Sequence, residues 1–357
     1  MPAARMSAQA VPQNPPGAPA PGAQGPRALL DAEQRQNAGI TCRDVCWLFC
    51  CPPWPSSIAA KLAFVPPEAS YKFVPVVTPG ECEASSASVG GSGPRERFRI
   101  VLNDPLDWHF VPSQLEAVEA FYARSAKGQQ IACMYMRSCS PEARFTMLFS
   151  HGNAVDLGQM CSFYWALGKR LGVNIFSYDY SGYGVSTGTP SEKNVYADVE
   201  AAWRELQTRY GIKAENVILY GQSIGTVAAV DLAAKERFGG VILHGTLASG
   251  LRVAFPETRR NWFFDVFKSI DKAERIHSRT LVIHGSEDEV IPVAHGISIY
   301  ERLPAAVDPL FIEGAGHNDV ELFAQYYDRL KRFINDELRQ APLDAPGPAA
   351  PEVLPTL

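Results

Sequence analysis

Apolar residues are spaced in two alternating ways along the second half of this chain. Short runs rich in β-branched and aromatic residues fall at 145–149, 174–178, 217–220, 240–243, 280–283 and 309–312. A strand with both faces covered reads as such an unbroken apolar run, so these six predict strands in the interior of a sheet. Between them the period changes. Residues 192–210 carry Val195, Val199, Ala202 and Leu206, and residues 319–337 carry Leu322, Tyr326, Leu330 and Phe333. Spacings of three and four put each set on one stripe of a helix. Strands alternating with helices predict a mostly parallel sheet with helices on both faces. Two earlier segments, 97–102 and 130–137, read as antiparallel strands that begin the sheet.

Composition divides the chain into segments. Residues 1–39 hold Pro2, Pro12, Pro15, Pro16, Pro19, Pro21 and Pro26 among Gly and Ala, which predicts a disordered extension. Residues 40–79 form a Cys-rich segment, 80–94 a Gly/Ser-rich flexible linker, 95–339 the catalytic domain, and 340–357 a disordered tail. Apolar residues make up 46% of 357, enough for one large core. A net charge of −5 gives no field that would attract nucleic acid. No stretch approaches the roughly 20 apolar residues of a spanning helix, and residues 1–26 lack the apolar core of a secretory signal. The eight cysteines are therefore expected as reduced thiols rather than a disulfide framework.

The chemistry centres on Gly221-Gln222-Ser223-Ile224-Gly225. A G-x-S-x-G string alone recurs by chance. Here it follows the 217–220 strand and precedes a helical run, 226–236, which is the strand–turn–helix elbow that lifts a serine hydroxyl above a sheet. Serine needs a base to become a nucleophile, and in this elbow architecture the chain order is Ser, acid, His. Of seven histidines, His284, His295 and His317 lie well downstream. His317 is the expected base, because the glycines of Gly314-Ala315-Gly316 let its loop fold over the sheet end after the 309–312 strand. His284 is expected to stabilise a turn and His295 to sit on a surface. The acid comes from the loop after the 280–283 strand: Asp288, with Glu287 and Glu289 expected in solvent. Its role is to hold the imidazole tautomer and stabilise the imidazolium. One oxyanion donor is the backbone N–H of Ile224. The other belongs to Asn153 or Ala154, in the loop after the 145–149 strand. Asp179 is expected to brace the loop beside the site. This is a serine hydrolase of the α/β-hydrolase fold by these residues, and the chemistry calls for no metal and no cofactor.

Two apolar features bear on the substrate. Cys42, Cys46 and Cys50 fall four apart, with Cys51 next, beside Trp47, Phe49 and Trp54. Zinc does not suit that spacing, which also lacks a histidine; S-acylation does, and two or more chains anchor stably where one does not. Residues 245–278 occupy the place of a short cap over the site. Phe255, Trp262, Phe263, Phe264 and Phe267 there could line an acyl pocket or close the core.

Longer strings carry a resemblance. Residues 59–64 and 66–68, the 150–160 string Ser-His-Gly-Asn-Ala-Val-Asp-Leu-Gly-Gln-Met, residues 174–184, Tyr220-Gly221-Gln222-Ser223-Ile224-Gly225-Thr226 and Gly314-Ala315-Gly316-His317-Asn318-Asp319 are similar to the α/β hydrolase domain-containing protein 17 family, over about 42–338. The resemblance implies a palmitoyl-protein thioesterase (a depalmitoylase) with Ser223, Asp288 and His317 at the triad positions. It implies palmitoylation of the N-terminal cysteines and peripheral attachment at the cytoplasmic face of plasma and endosome membranes. It also implies S-palmitoylated substrates, among them Ras-type GTPases and synaptic scaffold proteins. The chain departs from the pattern in placing its cysteines behind a Pro-rich extension, in Trp54 where a cysteine is expected, and in Gly245-Thr246 where Ser-Pro is expected after His244. The alternatives are a lipid esterase or peptidase of the same fold, marked by preference for an oxyester or amide, and an inactive hydrolase fold serving as an interaction module, excluded by fluorophosphonate labelling of Ser223.

Overall fold

The computed structural model describes residues 63–76, 96–103, 114, 117–140, 143–255 and 265–339. Ten strands form one sheet: β1 (Tyr71–Pro75), β2 (Phe98–Leu102), β3 (Val118–Arg124), β4 (Gln130–Met136), β5 (Thr146–Ser150), β6 (Asn174–Tyr178), β7 (Val217–Gln222), β8 (Gly240–His244), β9 (Thr280–Gly285) and β10 (Leu310–Ile312). Their order is β1-β2-β3-β4-β6-β5-β7-β8-β9-β10. Neighbours from β1 to β4, and β4 with β6, pair antiparallel. From β6 through β5, β7, β8 and β9 to β10 every pairing is parallel. The helices are α1 (Leu157–Leu171), α2 (Glu192–Tyr210), α3 (Gly225–Ala233), α4 (Gly250–Ala254), α5 (Val293–Tyr300) and α6 (Ala324–Arg332).

The apolar runs became central strands because both faces are covered. Successive residues of β7 go to opposite cores: Val217 and Leu219 pack with Val199, Leu206 and Val227 of α2 and α3, while Ile218 and Tyr220 pack with Leu167 of α1 and Leu330 of α6. Period two in the strand thus builds two cores from one hydrophobic run. Helix ends are set by local chemistry. Asp156 caps α1 in a reciprocal capping box with Gln159, and Gly172 closes it at φ 67°. Ser191 caps α2 by accepting the Asn194 N–H, and Gly211 closes it at φ 65°.

Three expectations change. The sheet does not begin near residue 95: β1 lies within the segment assigned to 40–79 and pairs with β2 from Tyr71↔Leu102 to Pro75↔Phe98. An aromatic group holds this edge, with Phe73 against Tyr71, Phe98 and Tyr122. Strand β3 was not foreseen. The helix expected over 319–337 is broken, with a 3₁₀ turn at Val320–Leu322, α6, and a π-helical turn at Phe333–Leu338. The extension 1–39, the four clustered cysteines, the linker 80–94 and the tail 340–357 lie outside the described residues. Among the described residues no helix is long and apolar enough to cross a membrane.

Candidate active site

Strand β7 runs into the turn that carries Ser223, whose φ is 52°. That left-handed conformation is costly for a residue with a side chain and persists only where the surroundings enforce it. The flanking glycines show the enforcement. A Cβ on Gly221 would stand 2.5 Å from Thr226 Cα, and one on Gly225 2.1 Å from the carbonyl oxygen of Ser150. The start of α3 therefore lies flat on the loop after β5, and the elbow closes only with glycine at both positions. Ser223 N–H donates to the His244 carbonyl at 2.8 Å, and Thr226 Oγ1–H to the Ser223 carbonyl at 2.7 Å, pinning the turn from both sides.

Ser223, His317 and Asp288 are brought together from three strand ends. Ser223 Oγ is 2.9 Å from His317 Nε2, and His317 Nδ1 is 2.6 Å from Asp288 Oδ2. Asp288 Oδ1 accepts the N–H groups of Val290 and Ile291 at 2.9 and 2.7 Å, so the carboxylate is aimed before the ring arrives. Burial pushes the Asp288 carboxyl up, but hydrogen bonds from His284, His317 and the Ile291 N–H outweigh it and hold the group well below the ordinary carboxylate range. A carboxylate that stays ionised keeps Nδ1 as the protonated nitrogen of His317 and leaves Nε2 free to take a proton from Ser223. Glu287 and Glu289 are exposed, as expected, and Asp288 is buried.

Two histidines differ from expectation. His284 does not serve a turn: its Nε2 lies 2.7 Å from the Ile291 carbonyl, to which it donates, and 3.2 Å from Asp288 Oδ2. It is fully buried and braces the acid from behind. His295 is not on the surface. It is buried in α5, and its Nδ1 accepts the Ala248 N–H at 3.1 Å. For His295 the cause is a contact across the chain, to Ala248, that local periodicity does not reveal; for His284 it is the fold of its own loop, which brings Asp288 and Ile291 back against the strand end. Asp179 stands where expected, accepting the Leu157 N–H at 3.0 Å and the Tyr71 hydroxyl proton at 2.5 Å. Below the elbow, Gln222 Nε2 donates to Glu321 Oε1 at 2.8 Å, and the Tyr220 hydroxyl meets His244 Nδ1 at 2.9 Å and the Tyr326 hydroxyl at 2.7 Å. Sequence reasoning missed Glu321, which the broken C-terminal helix turns inward.

The backbone N–H groups of Ile224, Asn153 and Ala154 donate to no group among the described residues. Ile224 follows the nucleophile directly. Ala154 holds φ 56°, and a Cβ on Gly152 would lie 3.9 Å from Ser223 Cβ, so the start of this loop runs beside the nucleophile's side chain. Gly245, one of the two departures after His244, sits at φ 59° with its missing Cβ 3.2 Å from His317 Cε1. Of the cap aromatics, Phe267 is buried and Phe255 exposed; Trp262, Phe263 and Phe264 lie outside the described residues. No group of three or more metal-ligating side chains occurs among the described residues.

Known proteins share the fold and much of the sequence. A family described as serine aminopeptidase, S33, matches residues 141–265. The chain is 57% identical over 300 residues to alpha/beta hydrolase domain-containing protein 17C of Xenopus laevis, covering 84% of this chain and 96% of that one. It is 54% identical over 318 residues to the 17C protein of Homo sapiens, with the same coverage. The match to the 17B protein of Homo sapiens is 54% over 295 residues, covering 83% and 96%. Among solved structures it shares its fold with the Pyrococcus furiosus esterase Pf2001, at a TM-score of 0.50 and 16% identity over 63% of this chain and 95% of that one. With more than half of the aligned residues identical across nearly the full length of these relatives, this chain belongs to the alpha/beta hydrolase domain-containing protein 17 family and is a serine hydrolase of the α/β type.

Proposed function

We propose that this protein hydrolyses palmitoyl thioesters on S-acylated proteins, with Ser223 as nucleophile, His317 as general base and acid, and Asp288 as the group that orients His317. The observation that carries the reading is the continuous relay from Ser223 Oγ to His317 Nε2, 2.9 Å, and from His317 Nδ1 to Asp288, 2.6 Å, on a strained elbow. In the first step Ser223 Oγ bonds to the thioester carbonyl carbon as its proton passes to Nε2. The carbonyl oxygen takes up negative charge beside the Ile224 N–H and the N–H groups of the Asn153–Ala154 loop. Collapse breaks the carbon–sulfur bond, and Nε2–H protonates the departing cysteine thiolate. Water then attacks the acyl-serine, giving a proton to Nε2; collapse returns that proton to Ser223 Oγ and releases palmitate. No electron is transferred and no co-reactant beyond water is consumed.

The thioester preference is supported by membership of this family. The same resemblance supports Ras-type GTPases and synaptic scaffold proteins as substrates. Acyl chains on Cys42, Cys46, Cys50 and Cys51 would hold the enzyme at the cytoplasmic face of plasma and endosome membranes, where such substrates reside. The test is release of palmitate from an S-palmitoyl peptide and from the matched O-palmitoyl serine peptide, by wild type and Ser223→Ala. Thioester cleavage by wild type, lowered by about 10⁴-fold or more in the variant, supports the proposal. Preference for the oxyester makes this a lipase-like esterase, and equal turnover by Ser223→Ala removes Ser223 from the chemistry.

A further inference from the structure

The segment before β1 does not simply lead into the sheet. Residues 63–71 cross the mouth of the β5–α1 loop and hold it at both ends. At one end the Asn153 carboxamide is fully engaged: Nδ2–H donates to the Ala63 carbonyl at 2.9 Å, while Oδ1 accepts the Val65 N–H at 3.0 Å and the Tyr183 hydroxyl proton at 2.6 Å. Between those two backbone contacts Phe64 is buried, edge-on to Tyr183 and to Phe267. At the other end Ser70 gives both its N–H, at 2.7 Å, and its hydroxyl proton to Asp156, the cap of α1. Tyr71 reaches the same helix start through Asp179, which also takes the Leu157 N–H. The segment is itself tied down, since Asn103 N–H and Nδ2–H donate to the carbonyls of Ser70 and Ala69 at 2.8 and 2.7 Å.

The loop so gripped, 153–156, continues directly from Gly152, whose missing Cβ would lie 3.9 Å from Ser223 Cβ, and the N–H groups of Asn153 and Ala154 in it donate to no group among the described residues. We propose that residues 63–71 are a strap that positions the second oxyanion donor, with the Asn153 side chain as its latch. The proposal rests on the assignment of that donor to the Asn153–Ala154 loop. The need for a latch is physical. Ala154 is held at φ 56°, a conformation that relaxes unless its neighbours forbid it, and an oxyanion hole works only if its donors are fixed before charge develops. The side chains of Asn153, Phe64 and Ser70 are positioning groups. They do not contact the reacting atoms; they fix the peptide that does.

The test uses the full chain and a short-chain ester, p-nitrophenyl butyrate, in solution without membranes, so that neither acyl-chain preference nor anchoring enters the readout. Asn153→Asp keeps the acceptor for Val65 and Tyr183 but sets a carboxylate oxygen against the Ala63 carbonyl. Phe64→Ala empties the contact with Tyr183 and Phe267. Each is expected to lower kcat by roughly 10- to 100-fold with KM within about twofold, the pattern of a misplaced transition-state donor. The rate at which a fluorophosphonate labels Ser223 falls in parallel, and Phe64→Leu restores part of kcat. Where Phe64→Ala fails to fold, Asn153→Asp decides. Folded variants with kcat within twofold of wild type overturn the strap. A wild type that neither cleaves the ester nor labels overturns the assignment beneath it, and the strap with it.

Discussion

Gly245 shows how little room the site leaves for change at a single residue. It lies at φ 59°, where a side chain costs about 1–2 kcal/mol, and a Cβ there would press on the His317 ring at 3.2 Å from Cε1. Gly245→Ala is therefore expected to lower the melting temperature by a few degrees and kcat by more than KM changes, because the ring that takes the serine proton must shift. A variant with unchanged melting and unchanged kcat would mean the ring is not packed against this turn. Residues of this kind divide by whether a short sequence string announces them. Ser223, Asp288, His317 and the Asn153–Ala154 loop were legible because each sits in a short string whose turn chemistry is local. His284 and Glu321 were not. Their roles arise from contacts with Asp288 and Gln222, and no turn motif around either one marks its side chain as facing the site.

Elements were legible where burial imposed one rule along their length. The parallel strands appeared as apolar runs because both faces are covered. Strand β3 hides the same geometry under a mixed sequence, since Glu119 reaches out to Arg97 and Arg137, each at 3.2 Å. Strand β1 has a single fully buried residue, Tyr71, so its pairing is set by the aromatic edge rather than by pattern. The 319–337 stripe had the right period but not the break. Asp319 turns back to accept the Gly316 N–H at 2.8 Å, fixing the His317 loop at the cost of the first helical turn. Helix α1 offers the element-scale prediction. Asp156 serves the helix cap and the strap at once, accepting Gln159 N–H at 3.0 Å and both Ser70 donors, and it is fully buried. Asp156→Ala removes a cap worth about 1 kcal/mol and leaves buried donors unsatisfied, each costing about 1–3 kcal/mol. Urea unfolding is expected to show a loss of roughly 2–4 kcal/mol, well above that of an exposed cap. A loss below about 0.5 kcal/mol, the range of an ordinary surface change, would mean the strap is not tied to the helix cap through this residue.

At the scale of the whole molecule the sheet buries ionisable groups of both kinds, and they make stability depend on pH in opposite senses. Burial pushes the Asp198 carboxyl up to about 6, against the Ser181 N–H and hydroxyl that bond it at 2.7 and 3.0 Å. Burial, with the charges of His284 and Arg252, pulls His295 down to about 4. For Asp198 the folded chain keeps a proton that the unfolded chain gives up near 4, so between about pH 4 and 6 this group costs stability as pH rises. For His295 the unfolded chain binds a proton near 6.5 that the folded chain refuses until about 4, so over that window the group costs stability as pH falls. Each contributes a slope of up to about 1.4 kcal/mol per pH unit within its window. Neutral replacements isolate the two. Relative to Asp198→Asn, the wild type is expected to lose stability from pH 4 to 6 and then run level. Relative to His295→Gln, it is expected to gain stability from pH 4 to 6.5 and then run level. Urea midpoints for the three proteins across pH 4–7.5 check both at once. Parallel curves would mean that neither group changes its proton affinity on folding. Same-sign slopes would mean that one of the two is not held in the charge state that its burial dictates, and for His295 that would break the acceptor on which the Ala248 N–H, at the end of the β8 turn, depends.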